Sequence, residues 1–119
     1  MLELKVVEEI EGQPIRLALL GKLDTQGQTQ ISVRMTALTV PFNRDAIVDM
    51  TEVTYISSMG IGLLLTISTG LKRQGKRLFL LAPQQQVADV LQVSRLLSQL
   101  QVVLDEEQLQ QRIAGVPCS

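Results

Sequence analysis

The chain has 119 residues, 45% of them hydrophobic and 19% charged, with a formal net charge of -1. That length suits one compact domain burying about two thirds of its unfolded surface, and so small a charge provides no long-range field to recruit nucleic acid or an anionic membrane. Histidine is absent, which removes the commonest general base, the commonest transition-metal ligand and every Ser-His-Asp or Cys-His arrangement.

In chain order, 3–10 (ELKVVEEI) and 15–20 (IRLALL) each suit a strand, and the EGQP between them has the Gly and Pro of a turn, so the pair is expected to form an antiparallel hairpin. After GKLD, Ile31, Met35 and Leu38 recur at helical spacing, which predicts a helix over 25–38 with Asp24 or Thr25 as N-cap. DAIVDM, 45–50, is a short apolar block of the kind that forms a strand covered on both faces. From Ser58, the residues Ile61, Leu64, Leu65, Ser68 and Leu71 follow helical spacing, and Lys72, Arg73 and Gly75 close that helix.

RLFLLA, 77–82, reads as another buried strand, ended by Pro83. The run 84–97 places Val87, Val90, Leu91, Ser94 and Leu97 on one helical face, and QVVL, 101–104, is a brief last strand. In DEEQLQQRIAGVP, 105–117, acids open a helix, Arg112 lies near its end, and Gly115 and Pro117 follow. The order β-β-α-β-α-β-α-β-α predicts an α/β fold, with a mixed, mostly parallel sheet, an N-terminal antiparallel hairpin and helices packed on it. One domain over 1–119 is expected, with a core of about 3–114 and a flexible tail at 115–119. That tail contains the single cysteine, Cys118, which reads as an incidental thiol.

No run approaches the ~20 apolar residues of a bilayer span, and MLELKVVEE lacks the basic flank and apolar centre of a signal peptide. A cytoplasmic protein with no direct membrane insertion is expected. Without a P-loop or clustered acids, no nucleophile with its base can be named; no enzymatic activity, cofactor or metal is expected.

The stretch with the most to explain is YISSMGIGLLL, 55–65, where a strand gives way to a helix through Ser57, Ser58, Met59, Gly60, Ile61 and Gly62. Hydroxyls at a helix start cap its unpaired N–H groups. Two glycines in a first turn weaken the helix, so close approach of another backbone is their expected use. As a dinucleotide signal GIG is poor, because the third glycine of GxGxxG would fall on Leu65.

The run DMTEVTYISSMGIGLLL, 49–65, resembles the signature of the STAS domain, found in anti-sigma factor antagonists and in the cytoplasmic tails of sulfate transporters. That signature has a strand-end Asp and then an apolar residue followed by Asp-Ser-Ser-Gly-Leu-Gly and an apolar helix. Asp49, Val53, Ile56, Ser58, Gly60, Ile61 and Gly62 stand in register without a gap, and GKLD at 21–24 is similar to the Gly-x-Leu-Asp that closes the family's second strand. The resemblance implies a bacterial regulatory module acting in signal transduction and transcription control. Its partner would be a serine kinase-type anti-sigma factor, bound through Asp24 and the stretch Ser57, Ser58, Met59, Gly60, Ile61 and Gly62. As an alternative, the resemblance allows an accessory subunit of a membrane transport or stress-signalling complex.

Two positions depart from the pattern. The serine immediately before the first motif glycine, which the partner kinase phosphorylates in such antagonists, is Met59 here, and Ser57 replaces the motif aspartate. A thioether cannot accept a phosphoryl group, so binding is expected to be constitutive or regulated elsewhere, with Ser58 the nearest alternative acceptor. Asp24 is open to two roles, helix cap or partner contact. Asp49 is placed as the acceptor of a receiver domain would be, but ALLGKLD supplies one acid where such a domain has a pair, so local backbone bonding is the expected role.

Overall fold

The computed structural model describes residues 2–10, 13–42, 44–93 and 101–113. The elements are β1 (Glu3–Glu8), β2 (Ile15–Leu23), α1 (Thr25–Thr39), a 3₁₀ turn (Val40–Phe42), β3 (Ala46–Ile56), α2 (Ser58–Lys72), β4 (Leu78–Leu81), α3 (Gln85–Val93), β5 (Gln101–Val103) and α4 (Glu106–Ile113). The five strands lie side by side in sequence order, β1 antiparallel to β2 and the rest parallel. This is the predicted mixed sheet with its hairpin.

Because the parallel strands advance one neighbour at a time, right-handed crossovers put α1, α2 and α3 on the same face. Their apolar stripes, including Ile31 and Met35, Leu64 and Ile67, and Val87 and Leu91, meet Leu17, Leu19, Val48 and Leu80 in the main core. The opposite face holds a smaller cluster, in which Leu109 of α4 covers Ile47, Phe79, Leu81 and Val103.

Helix α4 is held at both ends. Asp105 caps it, accepting from the Gln108 N–H at 2.9 Å. Both terminal guanidinium nitrogens of Arg16 in β2, Nη1 and Nη2, donate to the Glu106 carboxylate, the second at 3.1 Å. At the far end Arg77 donates to the carbonyls of Arg112 at 2.7 Å and Ile113 at 3.4 Å, pairs with Asp45 at 3.3 Å, and lies 5.0 Å over the Phe79 ring.

The largest difference from the sequence reading is β3, expected over 45–50 and found to run on to Ile56. Its first half pairs with both β2 and β4, but β4 stops at the Asp49↔Leu81 pair, so Thr51–Ile56 pairs with β2 alone. With one neighbour missing, this half carries exposed Thr51, Glu52, Thr54 and Tyr55, and an apolar block no longer marks it. β2 correspondingly extends past residue 20 to Leu23, with register shifts around Gly21, whose φ of 112° only glycine adopts readily. Asp49 is therefore in mid-strand and not at a strand end. Its Oδ1 accepts from the Thr51 N–H at 2.9 Å and from the Thr51 hydroxyl at 2.7 Å, the local bonding expected of it.

Other ends shift by a residue or two. Helix α2 closes as predicted, with Gly75 at φ 74° and the Lys76 N–H bonded to the Leu71 carbonyl at 2.8 Å, a Schellman arrangement. The predicted helical positions Ser94 and Leu97 lie outside the described residues, as do Gly115, Pro117 and Cys118.

The bond to Arg16 holds the Glu106 carboxyl below the usual carboxylate range. A group so lowered adds stability that is complete above its unfolded value of about 4.3 and is lost as pH falls through the folded value. The Glu106 side chain is 57% exposed, so screening limits the contribution to under about 1 kcal/mol. Glu106→Gln is expected to lower the urea midpoint slightly at pH 7 in low salt, and the gap from the parent should close as pH drops well below 4.3.

Candidate functional site

The site begins with how two helices start against the end of one strand. Asp24 is the N-cap of α1, its Oδ1 accepting from the Gly27 N–H at 2.8 Å. Ser57 is the N-cap of α2, its hydroxyl accepting from the Gly60 N–H at 3.2 Å. In both, the residue three places beyond the cap is a glycine packed on the end of β2. A Cβ on Gly27 would stand 2.6 Å from the Lys22 carbonyl oxygen, and one on Gly60 would stand 2.5 Å from the Leu23 carbonyl oxygen. The Ser57 N–H also donates to the Leu23 carbonyl at 2.9 Å, so the strand end grips the first turn of α2 through backbone.

This settles several sequence readings. Asp24, not Thr25, caps α1, and its carboxylate is engaged in that cap. The close approach expected of Gly60 is made by the chain's own β2. Gly62 differs: a Cβ there would meet nothing within 4 Å, so no internal contact requires glycine. Ser58 and Gly62 are exposed and Met59 is 50% exposed, whereas Ile61, at 5% exposure, points into the core. The structure thus brings Ser58, Met59 and Gly62 together at the surface, with Ser57 and Gly60 beneath them as framework and Ile61 as an anchor of α2.

Next to this surface a crease of about 690 Å³ runs between α1 and α2. Ser58, Met59, Gly62, Leu63 and Thr66 form one wall, and Gln28, Ser32, Val33, Thr36 and Ala37 the other, with Val40 and Pro41 of the 3₁₀ turn at its end. Sequence reasoning did not find this second wall. A signal was present in Val33, which is apolar yet falls off the Ile31–Met35–Leu38 stripe and is 81% exposed. Gly27 was missed too, although Asp24-x-x-Gly27 and Ser57-x-x-Gly60 share one pattern, each just past a strand.

Among the described residues no group of three or more acidic or cysteine side chains is arranged to hold a metal ion. No helix among them is long and apolar enough to cross a membrane.

The STAS domain model matches residues 4–109, and the chain belongs to the STAS domain family. Among solved structures, the anti-sigma factor antagonist SpoIIAA in its unphosphorylated form is similar with a TM-score of 0.72 at 23% identity, over 99% of this chain and 100% of its own. An anti-sigma factor antagonist (STAS) domain protein from Planctomyces limnophilus gives 0.78 at 18% identity, covering 93% of this chain and 97% of its own. The murine Solute Carrier 26 family member A9 anion transporter gives 0.75 at 18% identity, covering 91% of this chain but 18% of the transporter. At these identities the likeness establishes the shared fold. No curated protein matches the sequence significantly.

Gly60 and Gly62, the two glycines near the start of α2, should separate in a stability measurement. Gly60→Ala forces a methyl against the backbone of β2 and is expected to cost about 2 kcal/mol or more. Gly62→Ala adds a methyl in open space and should stabilise by up to about 1 kcal/mol. Urea unfolding of both variants checks the contrast.

Proposed function

We propose that this chain is a regulatory protein-binding module of the anti-sigma factor antagonist type, docking a serine kinase-type anti-sigma factor on the surface formed by Ser58, Met59 and Gly62. The observation that carries this reading is the half-exposed Met59 side chain in the first turn of α2. A large flexible thioether open to solvent at a helix start, beside a glycine with nothing against it, fits adaptable contact with a protein. Family membership supports the same class of task.

In antagonists controlled by phosphorylation, the residue before the first motif glycine is the acceptor serine. A phosphoryl group there would add about -1.5 to -2 charge to the docking surface and so repel or reorganise a partner. Met59 offers no hydroxyl, so docking here is constitutive or is regulated at another atom. Ser58 is exposed, but successive helical residues point about 100° apart, so it would present its hydroxyl in a different direction from Met59.

A second reading is an accessory subunit of a membrane transport or stress-signalling complex; the fold's occurrence within an anion transporter favours it. A pull-down that yields a transporter subunit and no kinase would select this reading.

The main test is incubation with the kinase-type anti-sigma factor and ATP, followed by intact-mass measurement and a binding titration. The parent chain should bind and gain no phosphoryl mass, while Met59→Ser should gain one and lose affinity. Met59→Glu should weaken binding about tenfold or more without ATP. Modification of Ser58 in the parent chain, or binding indifferent to Met59→Glu, would overturn the proposal.

A further inference from the structure

The crease beside Met59 does not end with the first pocket. A second depression of about 430 Å³ shares Thr36, Val40 and Thr66 with it and continues to Thr69, Gly70 and Arg73. Helices α1 and α2 follow parallel neighbouring strands and so run side by side in the same direction, which makes the joined crease a trough as long as α2. Fifteen residues at about 1.5 Å each give a length of about 22 Å, or four helical turns.

Its charge pattern is one-sided. Among the described residues lining the two depressions, Arg73 alone is ionised, and there is no carboxylate. Arg73 stands exposed just past the last turn of α2, and the other end of the trough meets the N-terminus of the same helix, where the helix dipole is positive. The full charge of Arg73 exceeds the half negative charge of the α2 C-terminus beside it, so both ends favour anions, and between them the surface is neutral. A second copy docked trough to trough is a poor occupant, because its own trough has no acid to bring to Arg73.

The floor has room for backbone near the start of α2. Gly62 opens it there, and the Thr66 hydroxyl is bonded to the Gly62 carbonyl at 2.9 Å, so its hydrogen is not seeking an outside partner. Val33 and Met59 rise from opposite walls as exposed apolar contacts.

From this geometry we infer that the α1–α2 crease is a groove for an amphipathic helix of about four turns on a partner protein, apolar along one stripe and acidic at both ends. The inference rests on the docking reading above and extends it from the first turn of α2 along its whole length.

The test uses the purified chain and three labelled designed peptides of equal length, followed by fluorescence anisotropy in low salt. One has a leucine stripe at helical spacing with glutamates at both ends, the second has the same stripe with lysines at the ends, and the third is a scramble of the first. The acidic-ended peptide should bind about tenfold tighter than the lysine-ended one, and the scramble should not bind. Gly62→Gln fills the trough where a side chain meets nothing, so it should fold with an unchanged or higher melting temperature and bind about tenfold more weakly. Arg73→Glu should erase or reverse the preference for acidic ends.

Equal binding of both charged peptides, binding of the scramble, or an affinity that Gly62→Gln leaves untouched would overturn the groove. So would a concentration-dependent dimer in sedimentation that Gly62→Gln abolishes, since the occupant would then be a second copy. Loss of peptide binding with Met59-dependent partner binding intact refutes the groove and leaves the docking reading standing. Peptide binding as expected, with no Met59-dependent partner, refutes the docking reading instead.

Discussion

The backbone contact between the end of β2 and the first turn of α2 is the constraint on which the rest of the molecule depends. At Gly60 the strand's last carbonyl and the helix approach so closely that no side chain fits between them, and the same arrangement recurs at Gly27 for α1. With two helices seated on successive carbonyls of one strand end, their relative position is set by peptide geometry more than by side-chain packing. The crease between them is thus a built shape, held open by the spacing of parallel strands at about 4.8 Å and by caps that commit Asp24 and Ser57 to the framework.

What faces solvent above that framework is short of charge. Ser58, Met59 and Gly62 offer a hydroxyl, a thioether and bare backbone. With no histidine in the sequence, no side chain of ordinary pKa changes its charge between pH 5 and 8. The shape and apolar area of this surface therefore do not depend on the protonation of an imidazole. The salt bridges lie elsewhere, and those that hold α4, around Arg16 and Arg77, are on the other side of the sheet.

Much of this was legible in the residues because the helices obey a 3.6-residue period and the buried strands are apolar without a break. The element order, the hairpin, and the capping at Ser57 all followed from such patterns. The second half of β3 was not legible, since Thr51–Ile56 has lost one neighbour and its apolar positions, Val53 and Ile56, are three apart instead of two. Nor was the trough, which needs two helices distant in sequence to be brought side by side. Ile61, named with its neighbours as a contact residue, is 5% exposed: it lies two residues past Met59, about 200° around the helix, on the side that meets the core.

The placement of α4 has a wider meaning. The sheet acts as a partition, with a large compartment behind it containing three helices and the Met59 surface, and a small one in front that, among the described residues, is covered by a single helix of eight residues. Among the described residues the small compartment encloses Leu109 and four strand side chains, with Ala82 and Ile113 packed against them. Loosening of the lid would expose those groups while leaving the caps, the glycine contacts and the trough in place behind β3 and β4. Losing the cover of α4 would thus bare one face of the sheet and leave the other packed beneath its three helices.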